Sequence, residues 1–340
     1  MSEPSLLLLA PRRATRQIMV GKVPIGGGAP VSVQSMTKTD TRDAEATVQQ
    51  IYAYAAAGCE IVRVSVPTKK AAEAFPEICA RSPIPVVADI HFDYRLALAA
   101  ADAGAACLRI NPGNIGGQDR VRAVVEKAGE KNIPIRIGVN AGSLEKELLE
   151  TFGGATPEAM VASALGHLEL LEKEGFYQTK VSLKASDVIR TVQAYRLLAK
   201  QVDYPLHLGI TEAGTSFGGT IRSSIGLGIL LAEGIGDTIR VSLTGSGEEE
   251  VKVGFEILRN LDLRPGGFRL VSCPSCGRMQ IDLQRVAQEI EAGLRAINDE
   301  NITYAVMGCV VNGPGEARDA DLGVAGGNGE GHIYLKGKLL

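Results

Sequence analysis

The sequence has no apolar run long enough to cross a bilayer. The longest near its start, Leu6 to Ala10, falls far short of the roughly 18 residues a spanning helix needs, and Arg12 and Arg13 follow where an export leader would carry a small-residue cleavage site. No membrane association is expected, and the chain reads as cytoplasmic. An excess of positive charge is also missing: 36 Lys and Arg stand against 39 Asp and Glu, a net charge of -3, so no basic field favours nucleic acid. Six cysteines in 340 residues are too sparse for a disulfide framework. In a reducing compartment, cysteines that cluster in sequence point to metal binding or catalysis. No Gly-x-Gly-x-x-Gly nucleotide fingerprint occurs, and Gly26-Gly27-Gly28 lacks a following Lys-Ser or Lys-Thr, which makes it a turn rather than a phosphate loop.

What is present is an alternation. Short apolar, β-branched runs recur at Val31 to Ser35, Ile61 to Val66, Pro85 to Asp89, Cys107 to Asn111, Ile135 to Val139, Lys180 to Lys184, Leu206 to Thr211 and Thr238 to Thr244. Amphipathic segments lie between them, such as Asp43 to Ala57, Tyr94 to Ala103, Asp119 to Lys131, Pro157 to Glu174, Asp187 to Lys200 and Glu248 to Leu261. Asp43, Asp187 and Pro157 suit helix starts; Gly58, Gly104 and Gly175 suit helix ends. Alternating β and α elements imply a parallel sheet, and eight strands favour a closed (β/α)8 TIM barrel over a doubly wound open sheet. Gln17 to Ala29 reads as a hairpin turning through Val20-Gly21-Lys22, placed to plug the barrel floor. Pro265-Gly266-Gly267 reads as a linker, dividing a barrel over 1–264 from a small α/β domain over 265–340. In the latter a helix is expected around Ile281 to Asn298, with strands near Thr303 to Met307 and Gly331 to Leu335.

Residues two apart in a strand project to the same side. Polar residues recur at that spacing near the strands' C-terminal ends: Arg63 and Ser65, Asp89 and His91, Arg109 and Asn111, Arg136 and Asn140 about Gly138, Ser182 and Lys184, Arg240 and Ser242. Active sites of βα barrels open at that face. Five cations, Arg63, Arg109, Arg136, Lys184 and Arg240, stand against two carboxylates, Asp89 and Glu212, a surplus that favours a compact diphosphate. Taken singly, each arginine is equally well read as solvated or paired with a helix carboxylate. Glu212 suits a general acid or a partner for one arginine, and these roles are compatible. His91 suits a proton relay or a tie to Asp89. His167 and His207 lack companions and read as structural.

Cys59, Cys79 and Cys107 read as small buried thiols. Cys273-Pro274-Ser275-Cys276 and the later Cys309 differ, since three thiolates in one short domain suggest a metal. Structural zinc wants four Cys or His ligands, but a fourth cysteine is absent and His332 is the only local histidine. Iron-sulfur clusters also usually take four cysteines. Glu316, in a glycine-rich turn after Cys309, is positioned in sequence to supply an oxygen. A thioredoxin-like pair needs no third cysteine. Two further alternatives are a Lys184 Schiff-base aldolase with structural zinc and a zinc-stapled scaffold; the cation ring argues against the scaffold.

The segments Val33-Gln34-Ser35-Met36-Thr37, Val62 to Pro67, Ala88 to Phe92, Leu108 to Gly113, Gly209 to Gly214 and Cys309 through Glu316 resemble motifs of the bacterial 4-hydroxy-3-methylbut-2-en-1-yl diphosphate synthase family (IspG/GcpE) of the non-mevalonate isoprenoid pathway, almost end to end and in its shorter bacterial form. The resemblance implies a [4Fe-4S] cluster on Cys273, Cys276, Cys309 and Glu316. It implies a barrel site for 2-C-methyl-D-erythritol 2,4-cyclodiphosphate, with Arg63, Arg109, Arg136, Asn140, Lys184, Arg240 and Ser242 on the diphosphate and Glu212 as acid-base. It further implies reductive ring opening with loss of water, electrons from flavodoxin or ferredoxin, and a homodimer with shared sites. Asp89, His91 and Asn111 complete the expected substrate surface.

Overall fold

The computed structural model describes residues 9–297, 302–309, 311, 313–327 and 330–340. Leu6 to Leu8 of the apolar run, Asn298 at the expected helix end, and Val310 and Asn312 of the motif after Cys309 lie outside the described residues. Two compact units divide between Leu263 and Arg264.

In the first unit, a hairpin of β1 (Ile18–Val20) and β2 (Val23–Ile25) turns at Gly21, whose φ of 56° suits a residue without Cβ. Eight parallel strands follow: β3 (Ser32–Met36), β4 (Ile61–Ser65), β5 (Val86–Asp89), β6 (Cys107–Ile110), β7 (Ile135–Asn140), β8 (Thr179–Lys184), β9 (His207–Leu208) and β10 (Thr238–Ile239). They are ordered β8-β7-β6-β5-β4-β3-β10-β9, and a Val181–Leu206 bridge joins the two ends into a barrel. The last two strands are shorter than the sequence pattern suggests, because past Leu208 and Ile239 the chain leaves the regular ladder.

The intervening helices are α1 (Ala44–Ala56), α2 (Lys69–Arg81), α3 (Tyr94–Asp102), α4 (Gln118–Glu130), α5 (Lys146–Phe152), α6 (Pro157–Lys173), α7 (Val188–Ala199), α8 (Ser216–Ala232) and α9 (Gly247–Asn260). The side chains of Asp43 and Asp187 accept backbone N–H bonds from Ala46 and Arg190, closing free donors at the starts of α1 and α7. Pro157 opens α6 behind a Thr156 cap. Helix α8 holds Gly218, Gly219, Gly226 and Gly228, which weaken its helical signature in sequence.

Strand parity sorts the core. Val62, Val64, Leu108, Ile110, Ile137, Val139, Val181 and Leu183 belong to one large cluster with the helices, whereas Ile61, Val87 and Cys107 pack with Ile18, Val20 and Ile25 of the hairpin. The hairpin therefore seals the floor, and the inward positions above it are free to carry polar side chains.

The second unit is a five-stranded sheet ordered β11 (Phe268–Ser272), β12 (Ile302–Met307), β13 (Leu322–Gly327), β14 (Glu330–Leu335) and β15 (Lys338–Leu339). The first three run parallel and the last two antiparallel. Helix α10 (Leu283–Ile297) connects β11 to β12, and α11 (Gly313–Asp319) connects β12 to β13. Strands β11, β13 and β15 go beyond the two expected from sequence. The segment after Cys309 is helical at Glu316 rather than a glycine-rich turn: Pro314 lies in the first turn, where its missing N–H costs nothing. No helix among the described residues is long and apolar enough to cross a membrane.

Candidate active site and cysteine centre

Because β4 to β8 are hydrogen-bonded in register, their inward side chains stack as neighbours. Asp89 lies opposite Arg109, Arg109 opposite Arg136, and Asn140 opposite Lys184. Asp89 is buried and accepts from Arg109 Nη1 at 3.1 Å, with Arg63 Nε at 3.5 Å and His91 Nε2 at 3.9 Å. Burial alone would raise its pKa, but Arg63, Arg109, His91 and Arg136 outweigh that and hold the carboxyl ionised, well below the ordinary range. Arg109 also donates to the Gly138 carbonyl at 3.2 Å.

Arg136 and Lys184 are different. They are 1% and 5% exposed, and the Nε and Nη1 of Arg136 and the Nζ of Lys184 meet no hydrogen-bond partner among the described residues. Burial, reinforced by Arg109, lowers the Arg136 pKa to about 10; burial, then the fields of Arg136, Arg63, Arg240 and Arg109, pushes Lys184 far below its ordinary value. Buried donors without acceptors are costly, so two such cations, close enough for Arg136 to act on Lys184, mark a place suited to an anion. Glycine makes the room: a Cβ on Gly138 would lie 2.3 Å from Arg109 Nε, and one on Gly209 2.9 Å from Lys184 Nζ.

A second buried carboxylate among these cations is Glu250, in the first turn of α9 after Glu248 and Glu249. It accepts from the Ser35 hydroxyl at 2.9 Å and the Leu243 N–H at 3.1 Å, and faces Lys38 Nζ at 3.1 Å and Arg240 Nη2 at 3.6 Å. The sequence count of two carboxylates thus needs correcting: Glu250 is the partner of Arg240, whereas Glu212 lies after β9 and has no ion pair among the described residues. Glu212 holds φ 52°, a left-handed backbone that is uncommon outside glycine and often kept where function requires it. Met36, to which its sequence motif gives no role, has its sulfur 2.8 Å from Arg63 Nη2 and 3.7 Å from Arg240 Nη1.

Asn111 is buried, but its Oδ1 accepts from the Gly113 N–H at 3.1 Å and shapes the turn after β6. Asn140 and Ser242 are half-buried at the ends of β7 and the β10 extension. His91 is exposed on a bend beyond β5, beside Phe92. His167 pairs with Glu145 at 2.9 Å away from the strands, and His207 is wholly buried on the inward side of β9, where burial keeps its ring neutral. Cys59 and Cys107 are buried, and Cys79 is partly so. Burial pushes the Cys59 and Cys79 thiols up to about 12, beyond useful reactivity.

In the second unit, Cys273 and Cys309 follow adjacent parallel strands β11 and β12, and Cys276 lies on the exposed loop after Cys273. All three line one cavity of about 100 Å³ with Pro274, Arg278, Met307 and Gly313. The Gly308 N–H points at Cys273 Sγ at 3.3 Å, and Arg278 donates from backbone and side chain to Cys276, lowering that thiol's pKa. Backbone donors aimed at sulfur, a cation alongside and no disulfide suit three thiolates gathered on a soft metal. Among the described residues no three His, Cys, Asp or Glu groups are drawn to ligand spacing, and Glu316 is exposed on α11.

Residues 15–255 match the family model of the GcpE TIM-barrel domain, and residues 269–340 that of the GcpE protein C-terminal domain. The chain belongs to the GcpE family. Its relatives include the 4-hydroxy-3-methylbut-2-en-1-yl diphosphate synthase (flavodoxin) of Geobacter sulfurreducens, 64% identical over 96% of this chain and 92% of that one. The protein of the same description from Maridesulfovibrio salexigens is 60% identical over 97% and 92%. Among solved structures, dihydropteroate synthase from Stenotrophomonas maltophilia superposes with a TM-score of 0.53 over 73% of this chain and 97% of that one at 12% identity, a likeness of fold alone. The GcpE barrel shares its scaffold with that enzyme.

Proposed function

We propose that this GcpE protein is a 4-hydroxy-3-methylbut-2-en-1-yl diphosphate synthase, converting 2-C-methyl-D-erythritol 2,4-cyclodiphosphate, two electrons and two protons into the open-chain allylic diphosphate and water. The observation that carries the reading is the unpaired, buried Arg136 and Lys184 flanked by Arg63, Arg109 and Arg240. Oxygens of a diphosphate would satisfy both orphaned cations together. Ring opening leaves negative charge on the departing phosphate oxygen, and cations already in place stabilise it without reorganising. Asn140 and Ser242 add neutral donors at the rim; Asp89, itself tied to Arg63 and Arg109, keeps those forks aimed, with His91 and Asn111 alongside. Glu212, on its strained bend at the mouth, is assigned the proton delivered to the departing hydroxyl.

The barrel, 1–264, is the substrate-binding part, and 265–340 the part assigned to a [4Fe-4S] cluster on Cys273, Cys276 and Cys309 with Glu316 as fourth ligand. When bound, the cluster supplies the electrons one at a time. The relatives' name supports reduced flavodoxin as donor, with ferredoxin the alternative. A cytoplasmic homodimer, in which the cluster part of one chain serves the barrel of the other, rests on the family resemblance. Phe217, Ile221 and Ile225, exposed at four-residue spacing along α8, support self-association.

The test is anaerobic purification with iron, sulfide and zinc analysis, paramagnetic resonance after dithionite reduction, and product analysis with the cyclic diphosphate. About four irons and four sulfides per chain are expected. A colourless zinc protein that leaves the cyclic diphosphate intact would overturn the reading.

A further inference from the structure

Strand β3 lies between β4 and β10, and its last residue, Met36, sits directly opposite Arg63. On the other side the register aligns Ile239 with Val33, which brings Arg240 level with Gln34, one inward position below Met36. The thioether therefore lies between two guanidinium groups. Its sulfur is 3.1 Å from Arg63 Nε, 2.8 Å from Arg63 Nη2 and 3.7 Å from Arg240 Nη1. Each arginine has its carboxylate elsewhere, Asp89 for Arg63 at 3.5 Å and Glu250 for Arg240 at 3.6 Å. Met36 is half-buried and belongs to neither apolar cluster of the barrel, so its packing does not account for it.

Two like charges this close need something between them. A third carboxylate would hold both guanidiniums but cancel the charge the mouth presents to an anion, and a hydrocarbon side chain would leave their N–H groups unaimed. A thioether is polarisable, accepts hydrogen bonds weakly and carries no charge. We propose that Met36 is a positioning residue that sets the spacing and aim of Arg63 and Arg240 for a bound diphosphate while leaving their charge undiminished. The inference rests on the diphosphate reading of the mouth and adds the residue that tunes its recognition. Met36 touches no reacting atom, so its effect falls on substrate affinity rather than on turnover.

The experiment compares Met36→Leu, which keeps volume and loses the acceptor, with Met36→Gln, which restores an uncharged acceptor at similar reach. Both are measured as cluster-loaded protein, by steady-state kinetics and by calorimetric titration with the cyclic diphosphate. Met36→Leu should raise KM and Kd together by about fivefold, the size of one weak hydrogen bond, with kcat within about twofold and melting temperature unchanged. Met36→Gln should recover most of the affinity. Wild-type KM and Kd in Met36→Leu, or equal impairment of both variants, would overturn the proposal. Arg136→Ala run alongside separates the two readings: lost binding there with wild-type binding in Met36→Leu removes only the role of Met36, whereas wild-type binding in Arg136→Ala removes the diphosphate reading itself.

Discussion

The barrel mouth and the cysteine loop are built by opposite strategies. At the mouth, cations project from strands whose backbone ladder sets their spacing, and two buried carboxylates, Asp89 and Glu250, hold three of the arginines in place. In the second unit, Cys276 is exposed on a loop, and the core beneath the cysteines is small, with Ala305, Ala317, Ala320 and Ala325 beside Met307 and Tyr334. Cations can be preassembled because the chain supplies counter-charges that leave part of each guanidinium free. Thiolates repel one another, and Arg278 with the Gly308 N–H offsets that repulsion only in part, so the proposed cluster would set their final geometry. Folding alone arranges the mouth, whereas the cysteine loop is left for the proposed cluster to complete.

The largest effect expected from this contrast is that of Cys309→Ser, which removes a thiolate from a strand end. Iron retention and turnover should fall to background and a melting transition belonging to the second unit should drop, while that of the barrel stays put, as differential scanning calorimetry with iron analysis would show. A matching fall in the barrel's transition would erase the distinction. Next comes a pair of substitutions at the mouth with opposite consequences for folding. Asp89→Asn leaves Arg63 and Arg109 buried without a counter-charge and should destabilise the chain by about 3 kcal/mol in denaturant titrations. Lys184→Met removes a buried, unpartnered cation; it should leave stability unchanged or higher while weakening the cyclic diphosphate's Kd about 100-fold, the loss of a charge-assisted contact. If Lys184→Met destabilised as Asp89→Asn does, Lys184 would be structural.

The smallest effect tests the desolvation that the preassembled barrel tolerates. Burial lowers the pKa of the inward-facing Lys180 to about 8, Cys107 only partly opposing it, and its Nζ meets no partner among the described residues. The unfolded side chain titrates near about 10.4, so between these values the unfolded chain holds more protons. Stability should therefore rise as pH increases from about 8 to about 10 and level off above. In Lys180→Met that slope should be absent; an unchanged slope would assign it to other groups.

Much of the mouth is legible in the residue order, because side-chain alternation in a strand is a local property. Two-residue spacing is enough to direct Arg63, Asp89, Arg109, Arg136, Lys184 and Arg240 toward one interior. The hairpin under the barrel is legible for a similar reason: its turn and apolar residues are contiguous. Legibility ends at partner choice. Glu250 reads as one more acid at a helix start, and only the packing of α9 against β3 brings it beneath Arg240. Asn111 reads as one more polar residue at a strand end, and only the fold shows its oxygen accepting from the Gly113 N–H.

The residue pattern by itself determined the eightfold alternation, the inward polar set and the grouping of Cys273, Cys276 and Cys309, since periodicity and short spacings act over a few residues. Tertiary structure alone decided which cations are neutralised and which remain available, and that the Met36 sulfur lies against two arginines. The reason is that barrel closure fixes the register between strands far apart in sequence, and that register, together with the packing of α9 against β3, selects the neighbours of the charges at the mouth.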